Sequence, residues 1–170
     1  MPTEIIFQAH LVLGYLAWLL CFFAYVLPWL KSMGSVAAHR AIAALHSFRF
    51  FGLIFVLPGV VGPGLPEGFA TWAAYGDLAT GLLAMLALIT VRIGAAFRLF
   101  VVAFNIVGMT DLLLAYYHAI EFGLPARAGE LGAAYAIPIL YVPLLAITHV
   151  FAFYLLLRPW TEAARTVVRG

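Results

Sequence analysis

Three charged side chains stand inside stretches that are otherwise apolar enough to cross a bilayer. The segment LHSFRFFG, residues 45–52, carries His46 and Arg49, and two later apolar stretches carry Asp77 and Asp111. A charge at the middle of a membrane helix costs about 2.5–3.5 kcal/mol on insertion scales, so such a residue is a functional candidate and needs a partner. We therefore predict that Arg49 pairs with Asp77 or Asp111.

The charges in these stretches do not balance. Two carboxylates and one guanidinium leave one negative charge, which must be protonated, bind a cation or meet water. A group under that constraint is suited to handling protons or ions. We expect Asp77 to be the protonated member, because Trp72 and Tyr75 precede it by about one turn and would keep water away. The competing interpretation is a buried polar lock that only fixes helix register.

Polar residues in other apolar stretches lie at related depths. A rise of about 1.5 Å per residue places Arg49 roughly 12 Å from the predicted cytoplasmic face and both aspartates roughly 20 Å from it. Because an arginine side chain can extend several ångströms along the membrane normal, Arg49 can reach the aspartates. The residues predicted to form a ligand-binding or proton-handling cluster are His46, Arg49, Asp77, Asn105, Asp111, Tyr141 and His149.

Four histidines suggest an alternative chemistry. His10 and His118 fall near the outer ends of two stretches, and His46 and His149 fall at the inner level of two others. Two such pairs are typical of a membrane cytochrome with two b-type haems, since neutral imidazole is a good axial ligand for iron. Haem b is therefore the alternative cofactor. No metal site is predicted, because Asp111 and His118 are separated by about 10 Å along their helix.

Composition fixes the class of protein. The chain is 66% hydrophobic and 9% charged, whereas a soluble domain is about a quarter charged. The single cysteine, Cys21, excludes an internal disulfide and is expected to be a small buried residue. With a net charge of +2 and no basic run, nothing predicts nucleic-acid binding. No HExxH, GxSxG, Walker or paired-cysteine motif is present, so the sequence leaves open whether the protein is an enzyme.

Hydropathy predicts one domain, residues 1–170, built from five transmembrane helices. Each stretch has the length of about 20 residues that a membrane span needs. The first stretch is too long for a signal-peptide core, so we expect a retained helix. The predicted spans cover about residues 5–30, 41–61, 69–91, 97–120 and 131–157.

Loop charges predict the direction of insertion. Positively charged loops stay in the cytoplasm, which predicts an outer N-terminus and a cytoplasmic C-terminus in the inner (plasma) membrane. Tryptophans near the span ends fit an aromatic belt, as at Trp29, Trp72 and Trp160. The predicted cytoplasmic cations are Lys31, Arg40, Arg92, Arg98, Arg158, Arg165 and Arg169. The predicted outer charges are Glu4, Glu67, Glu121, Glu130 and Arg127.

Small residues suggest which helix faces meet, because helices in lipid pack through them. In the first span this stripe is His10, Gly14, Ala17, Cys21, Ala24 and Pro28. The sequence thus favours an all-α, multi-pass bundle in the lipid bilayer that performs proton-linked transport, or binds an ion or small ligand. The alternatives are a b-type haem or quinone redox protein, an intramembrane enzyme using an aspartate as acid or base, and an accessory subunit. Association into a homo-oligomer or a larger membrane complex is open to such a small protein.

Overall fold

The computed structural model describes residues 1–158 of the chain, and that range contains helices and no strand. Trp160, Arg165 and Arg169, which contributed to the predicted topology, lie outside the described residues. Helix α1 spans Thr3–Lys31, α2 Ser35–His46, α3 Glu67–Ile89, α4 Gly94–Glu121 and α5 Ile137–Leu156.

Within the described range, four helices are long and apolar enough to cross a membrane: α1, α3, α4 and α5. The second predicted span, 41–61, is not a single α-helix. Helix α2 continues as a 3-10 helix over Ser47–Val56, and the chain then turns. The fifth span begins later than predicted. A 3-10 segment, Leu124–Tyr135, occupies the start of that stretch and breaks at Gly132, whose φ is +53°.

The 3-10 segment after α2 has a sequence period that matches its geometry. A 3-10 helix has three residues per turn, so residues three apart lie above one another. His46, Arg49, Gly52 and Phe55 follow this spacing and all four are buried. The phenylalanines between them, Phe48, Phe50 and Phe51, are exposed on the outside of the bundle. The segment thus places Arg49 inward and an aromatic surface outward.

Two apolar clusters fill the ends of the bundle, and the buried polar residues of α3 lie between them. Along α3, Phe69, Ala70, Ala73 and Ala74 belong to one cluster, whereas Ala84 and Ala87 belong to the other. Asp77 and Thr80 fall between these two sets and are buried. The polar layer is therefore enclosed by apolar packing on both sides.

Helix α1 packs through a different face from the predicted small-residue stripe. Its buried residues are Phe7, Gly14, Phe22 and Leu30, and of the stripe only Gly14 is buried. Cys21, expected to be buried, is exposed. The other exposed members of the stripe are His10, Ala17, Ala24 and Pro28. Small side chains allow close packing but do not require it, so on a peripheral helix they can equally face outward.

Proline chemistry explains why Gly14 is the point of contact. Pro143 has no N–H, so the carbonyl of Ile139 lacks the donor that an α-helix would supply. That carbonyl lies directly against Gly14, where a Cβ would overlap it. One turn along α1, Trp18 Nε1 donates a hydrogen bond of 2.7 Å to the carbonyl oxygen of Leu140. These contacts fix α1 against α5.

Candidate proton or ligand site around Arg49

Arg49 is fully buried and contacts both candidate aspartates. Its Nε donates to Asp77 Oδ1 at 2.6 Å, and its Nη2 donates to Asp111 Oδ2 at 2.5 Å. The sequence predicted an ion pair with one of the two; the structure brings one guanidinium to both. Since both carboxylates use the same cation, the cluster carries a net charge of −1 when both are ionised.

The remaining guanidinium nitrogen faces α4 and α5. Arg49 Nη1 lies 3.3 Å from the carbonyl oxygen of Gly108 and 3.2 Å from Nε2 of His149. A Cβ at Gly108 would come within 2.5 Å of that imidazole nitrogen and 2.7 Å of Nη1. Glycine at this position therefore allows the guanidinium to reach the backbone of α4. Gly108 is not among the site residues predicted from the sequence.

Two further glycines make room for the carboxylates. A Cβ at Gly52, one 3-10 turn after Arg49, would overlap the side chain of Asp77. A Cβ at Gly76 on α3 would overlap the carboxylate of Asp111 on α4. Each carboxylate thus packs against the backbone of a glycine, which allows α3 to lie close to the 3-10 segment and to α4.

The hydrogen bonds determine the tautomer of His149. Asn105 Nδ2 donates to the carbonyl of Val101 at 2.7 Å, so its Oδ1 faces Nδ1 of His149 at 2.8 Å. An amide oxygen can only accept, so His149 Nδ1 must carry the proton. Nε2 is then the bare nitrogen and accepts from Arg49, which makes His149 neutral. Asn105 and His149, both predicted site residues, therefore extend the cluster as a single chain of hydrogen bonds.

His46 lies beside this chain and has unused hydrogen-bonding capacity. Its ring centroid is 4.0 Å from that of His149, and its Nε2 lies 3.0 Å from Thr148 Oγ1. The threonine hydroxyl donates to main-chain carbonyls of α5, so it accepts from Nε2–H of His46. His46 Nδ1 is buried and has no hydrogen-bond partner in the described part of the chain. Thr148 was not predicted from the sequence, because a threonine in an apolar stretch gives no distinct signal.

Both aspartates face a cavity of about 250 Å³ between α1, α3, α4 and α5. Their side chains are 8% and 11% exposed, for Asp77 and Asp111 respectively. The cavity is otherwise mostly apolar, and its further polar lining residues, Gln8 and Tyr116, were not predicted. Representative apolar lining residues are Phe7, Leu11, Phe55, Phe69, Leu112 and Ile137.

The expectation that Trp72 and Tyr75 keep water away from Asp77 is wrong. Trp72 and Tyr75 are 56% and 58% exposed, so they lie on the outer face of α3 rather than over Asp77. Residues two and five positions before Asp77 point away from it on a helix with 3.6 residues per turn. The cavity, and not an aromatic shield, forms the environment of the aspartates.

The other predicted residues lie apart from the cluster or at its edge. Tyr141 donates its hydroxyl to the carbonyl of Leu45 at 3.1 Å, which supports the junction between α2 and the 3-10 segment. At the opposite end of the bundle, His10 bonds the hydroxyl of Tyr135 at 2.9 Å. His118 bonds Glu121 at 3.0 Å and stacks on Trp72.

The inner histidine pair does not fit a haem as these side chains are placed. A porphyrin between two axial imidazoles requires iron about 2 Å from a nitrogen of each ring. His46 and His149 are in ring contact at 4.0 Å, which leaves no space for the macrocycle. Both nitrogens of His149 are also engaged, by Arg49 and Asn105. Haem b stays a prediction that this arrangement does not support. Among the described residues, no group of three or more His, Cys, Asp or Glu side chains could hold a metal ion.

Comparison with known proteins gives one match. A family described as Domain of unknown function (DUF8737) matches residues 6–157, which include the whole cluster and the cavity. No curated protein and no solved structure shows detectable similarity.

Proposed function

Because the chain belongs to the DUF8737 family, whose description names no activity, we propose a function from the site itself: a multi-pass plasma-membrane protein in which the Arg49 cluster exchanges a proton as a small molecule or ion binds in the adjoining cavity. The observation that carries the proposal is the sharing of one buried guanidinium by two carboxylates at the floor of an apolar cavity.

Membrane insertion is supported by the four long apolar helices. The second helical stretch also has sufficient length to cross. Its α-helical and 3-10 parts together rise by roughly 38 Å, more than the ~30 Å hydrocarbon core. We therefore retain five spans, with Lys31, Arg40 and Arg92 toward the cytoplasmic side.

Charge balance supports proton exchange. An ion pair of Arg49 with one aspartate is neutral, and the second carboxylate adds an anion that a dry interior does not tolerate. One proton shared by the carboxylate pair restores neutrality, and it belongs to the pair rather than to one residue. Because the pair borders a cavity, the proton has a route by which it can leave.

The cavity defines the chemical class of a ligand. Its walls are apolar and its floor presents two carboxylates, so it suits a small apolar molecule with one cationic or hydrogen-bond-donating group. A protonated amine can neutralise the second carboxylate in place of the proton. Binding of the amine and release of the proton are then linked, since the ammonium group and the proton neutralise the same carboxylate.

His46 is the candidate proton acceptor on the inner side of the cluster. Its ring contacts His149, and its Nδ1, which has no hydrogen-bond partner among residues 1–158, can accept a proton. His46 and His149 lie toward the predicted cytoplasmic face, whereas the cavity lies toward the outer one. Transport therefore requires a change in the apolar packing at the inner end of the bundle that connects His46 with the cytoplasm.

Proton movement into liposomes tests the proposed function. Purified protein is reconstituted with a trapped pH-sensitive dye, and a potential is imposed with and without benzylammonium chloride outside. We expect faster proton movement than in protein-free liposomes, a change on adding the amine, and loss of both in Asp111→Asn. Glu121→Gln is the matched control, because it removes an exposed carboxylate that lies outside the cluster. Equal rates in wild-type, Asp111→Asn and protein-free liposomes would contradict proton transport.

A further inference from the structure

A second concave surface lies next to the aspartate cavity and shares Leu112 and Tyr116 with it. It is a groove of about 670 Å³ between α1, α4 and α5. Its walls are almost entirely apolar, and its inner end is bounded by Lys31. Representative lining residues are Tyr15, Phe22, Leu113, Tyr116, Ala146 and Val150.

The groove continues into a pocket at the predicted cytoplasmic end of the bundle. This pocket, of about 600 Å³, shares Lys31, Phe151 and Tyr154 with the groove and adds Ser35 and Arg158. The two concavities therefore adjoin at these shared residues and together extend from the middle of the bundle to its inner rim. We refer to them together as the α1–α5 groove.

The inner end of the α1–α5 groove is positively charged. Lys31 and Arg158 both line it, and the salt bridges within residues 1–158 involve neither of them. The Arg158 guanidinium is held 4.3 Å above the ring of Tyr154, which keeps the charge at the rim. Helix α2 begins at Ser35 beside the same pocket, and no side chain caps its first N–H groups. These groups add positive potential at the same place.

We propose that the α1–α5 groove binds one anionic phospholipid, with its phosphate between Lys31 and Arg158 and an acyl chain along the apolar walls. The positive end lies on the predicted cytoplasmic side, where anionic lipids attract basic residues. The positive charge at one end matches the phosphate of such a lipid, and the long apolar walls match its acyl chain. The inference rests on the membrane location proposed above and is independent of proton exchange at Arg49.

Native mass spectrometry of the purified protein tests this directly. The protein in neutral detergent is offered equal amounts of dioleoyl phosphatidylglycerol and dioleoyl phosphatidylcholine, which differ in headgroup charge and share the same chains. We expect retention of the phosphatidylglycerol. Each basic residue near a membrane surface contributes about 1 kcal/mol, so Lys31→Gln with Arg158→Gln should lower the preference about thirtyfold. The charge-conserving pair Lys31→Arg with Arg158→Lys should keep it.

A matched control distinguishes binding in the groove from attraction to positive charge elsewhere on the predicted cytoplasmic side. Arg40→Gln with Arg92→Gln removes the same charge from the same predicted side, at residues that do not line the groove. An equal loss in this control, or no preference in the wild type, would overturn the proposal.

A further pair of variants tests whether an acyl chain lies in the groove. Ala146→Trp fills the groove and should reduce retention of both lipids, whereas Leu20→Trp, on the exposed face of α1, should not. Unchanged retention in Ala146→Trp would contradict a chain seated in the groove. Asp111→Asn should leave the lipid preference intact, so this inference and the proposed function fail separately.

Discussion

Arg49 and Asp77 form a buried ion pair of 2.6 Å between the 3-10 segment and α3, with no side chain between the two backbones at Gly52. The pair is therefore held by close backbone packing as well as by charge. The same arginine contacts Asp111 on α4 and His149 on α5, so four helical segments meet at one guanidinium.

Removing the guanidinium should be strongly destabilising. Arg49→Met leaves two buried carboxylates without a cation, and breaking a buried pair from one side costs about 3–5 kcal/mol. Combining it with Asp77→Asn and Asp111→Asn removes the uncompensated charges, so the triple variant should recover part of the loss. Denaturant unfolding in detergent measures both. A single Arg49→Met variant as stable as the wild type would mean that the ion pairs do not form.

A methyl group at Gly52 should disturb the cluster without changing any charge. Its Cβ would overlap Asp77, so either the carboxylate or the 3-10 segment must move. Overpacking of this kind costs about 1–3 kcal/mol, measurable as a lower midpoint of denaturation for Gly52→Ala. Gly94→Ala is the matched control, since a Cβ there meets no atom within 4 Å. Equal denaturation midpoints for Gly52→Ala and Gly94→Ala would show that the side chain of Asp77 does not pack against Gly52.

The tautomer of His149 can be read by nitrogen NMR. The hydrogen bonds with Asn105 and Arg49 require a neutral ring with its proton on Nδ1. The ¹⁵N spectrum of histidine-labelled protein should show this tautomer, and His149→Gln identifies the signal. Asn105→Leu should shift it, because the acceptor for Nδ1–H is removed. A doubly protonated His149 at neutral pH would rule out its role as acceptor from Arg49.

Reporter fusions test the membrane orientation. A green fluorescent protein joined after residue 170 should fluoresce, because the cations at Lys31, Arg40 and Arg92 predict a cytoplasmic C-terminus. Alkaline phosphatase inserted in the turn at residues 62–64 should be active, since that turn is predicted to lie outside. The reverse pattern would invert the topology, and with it the assignment of the α1–α5 groove to the cytoplasmic side.

Hydropathy and charge predicted much of the arrangement. The apolar stretches predicted the helices, because 18 or more mostly apolar residues with few charges are distinctive. The scarcity of buried cations led to Arg49 as the partner of the aspartates, since α1, α3, α4 and α5 offer no other arginine or lysine at that depth.

The geometry of the cluster could be predicted only in part from the sequence. Depths were estimated with the α-helical rise of ~1.5 Å, whereas the 3-10 segment rises by ~2 Å per residue and carries Arg49 deeper. The three-residue spacing of His46, Arg49, Gly52 and Phe55 was a usable signal for that segment. The cavity had no such signal, because it depends on how four helices diverge.

The central claim is that one guanidinium, two carboxylates and one proton form the cluster, and infrared spectroscopy of the purified protein tests it most directly. The wild type should show the C=O band of a protonated buried carboxyl at neutral pH. Asp77→Asn and Asp111→Asn should each abolish the band, because the single remaining carboxylate is neutralised by Arg49, and Glu121→Gln should retain it. If the wild type shows no such band at neutral pH, or if the band survives in both asparagine variants, the cluster does not hold the proposed proton.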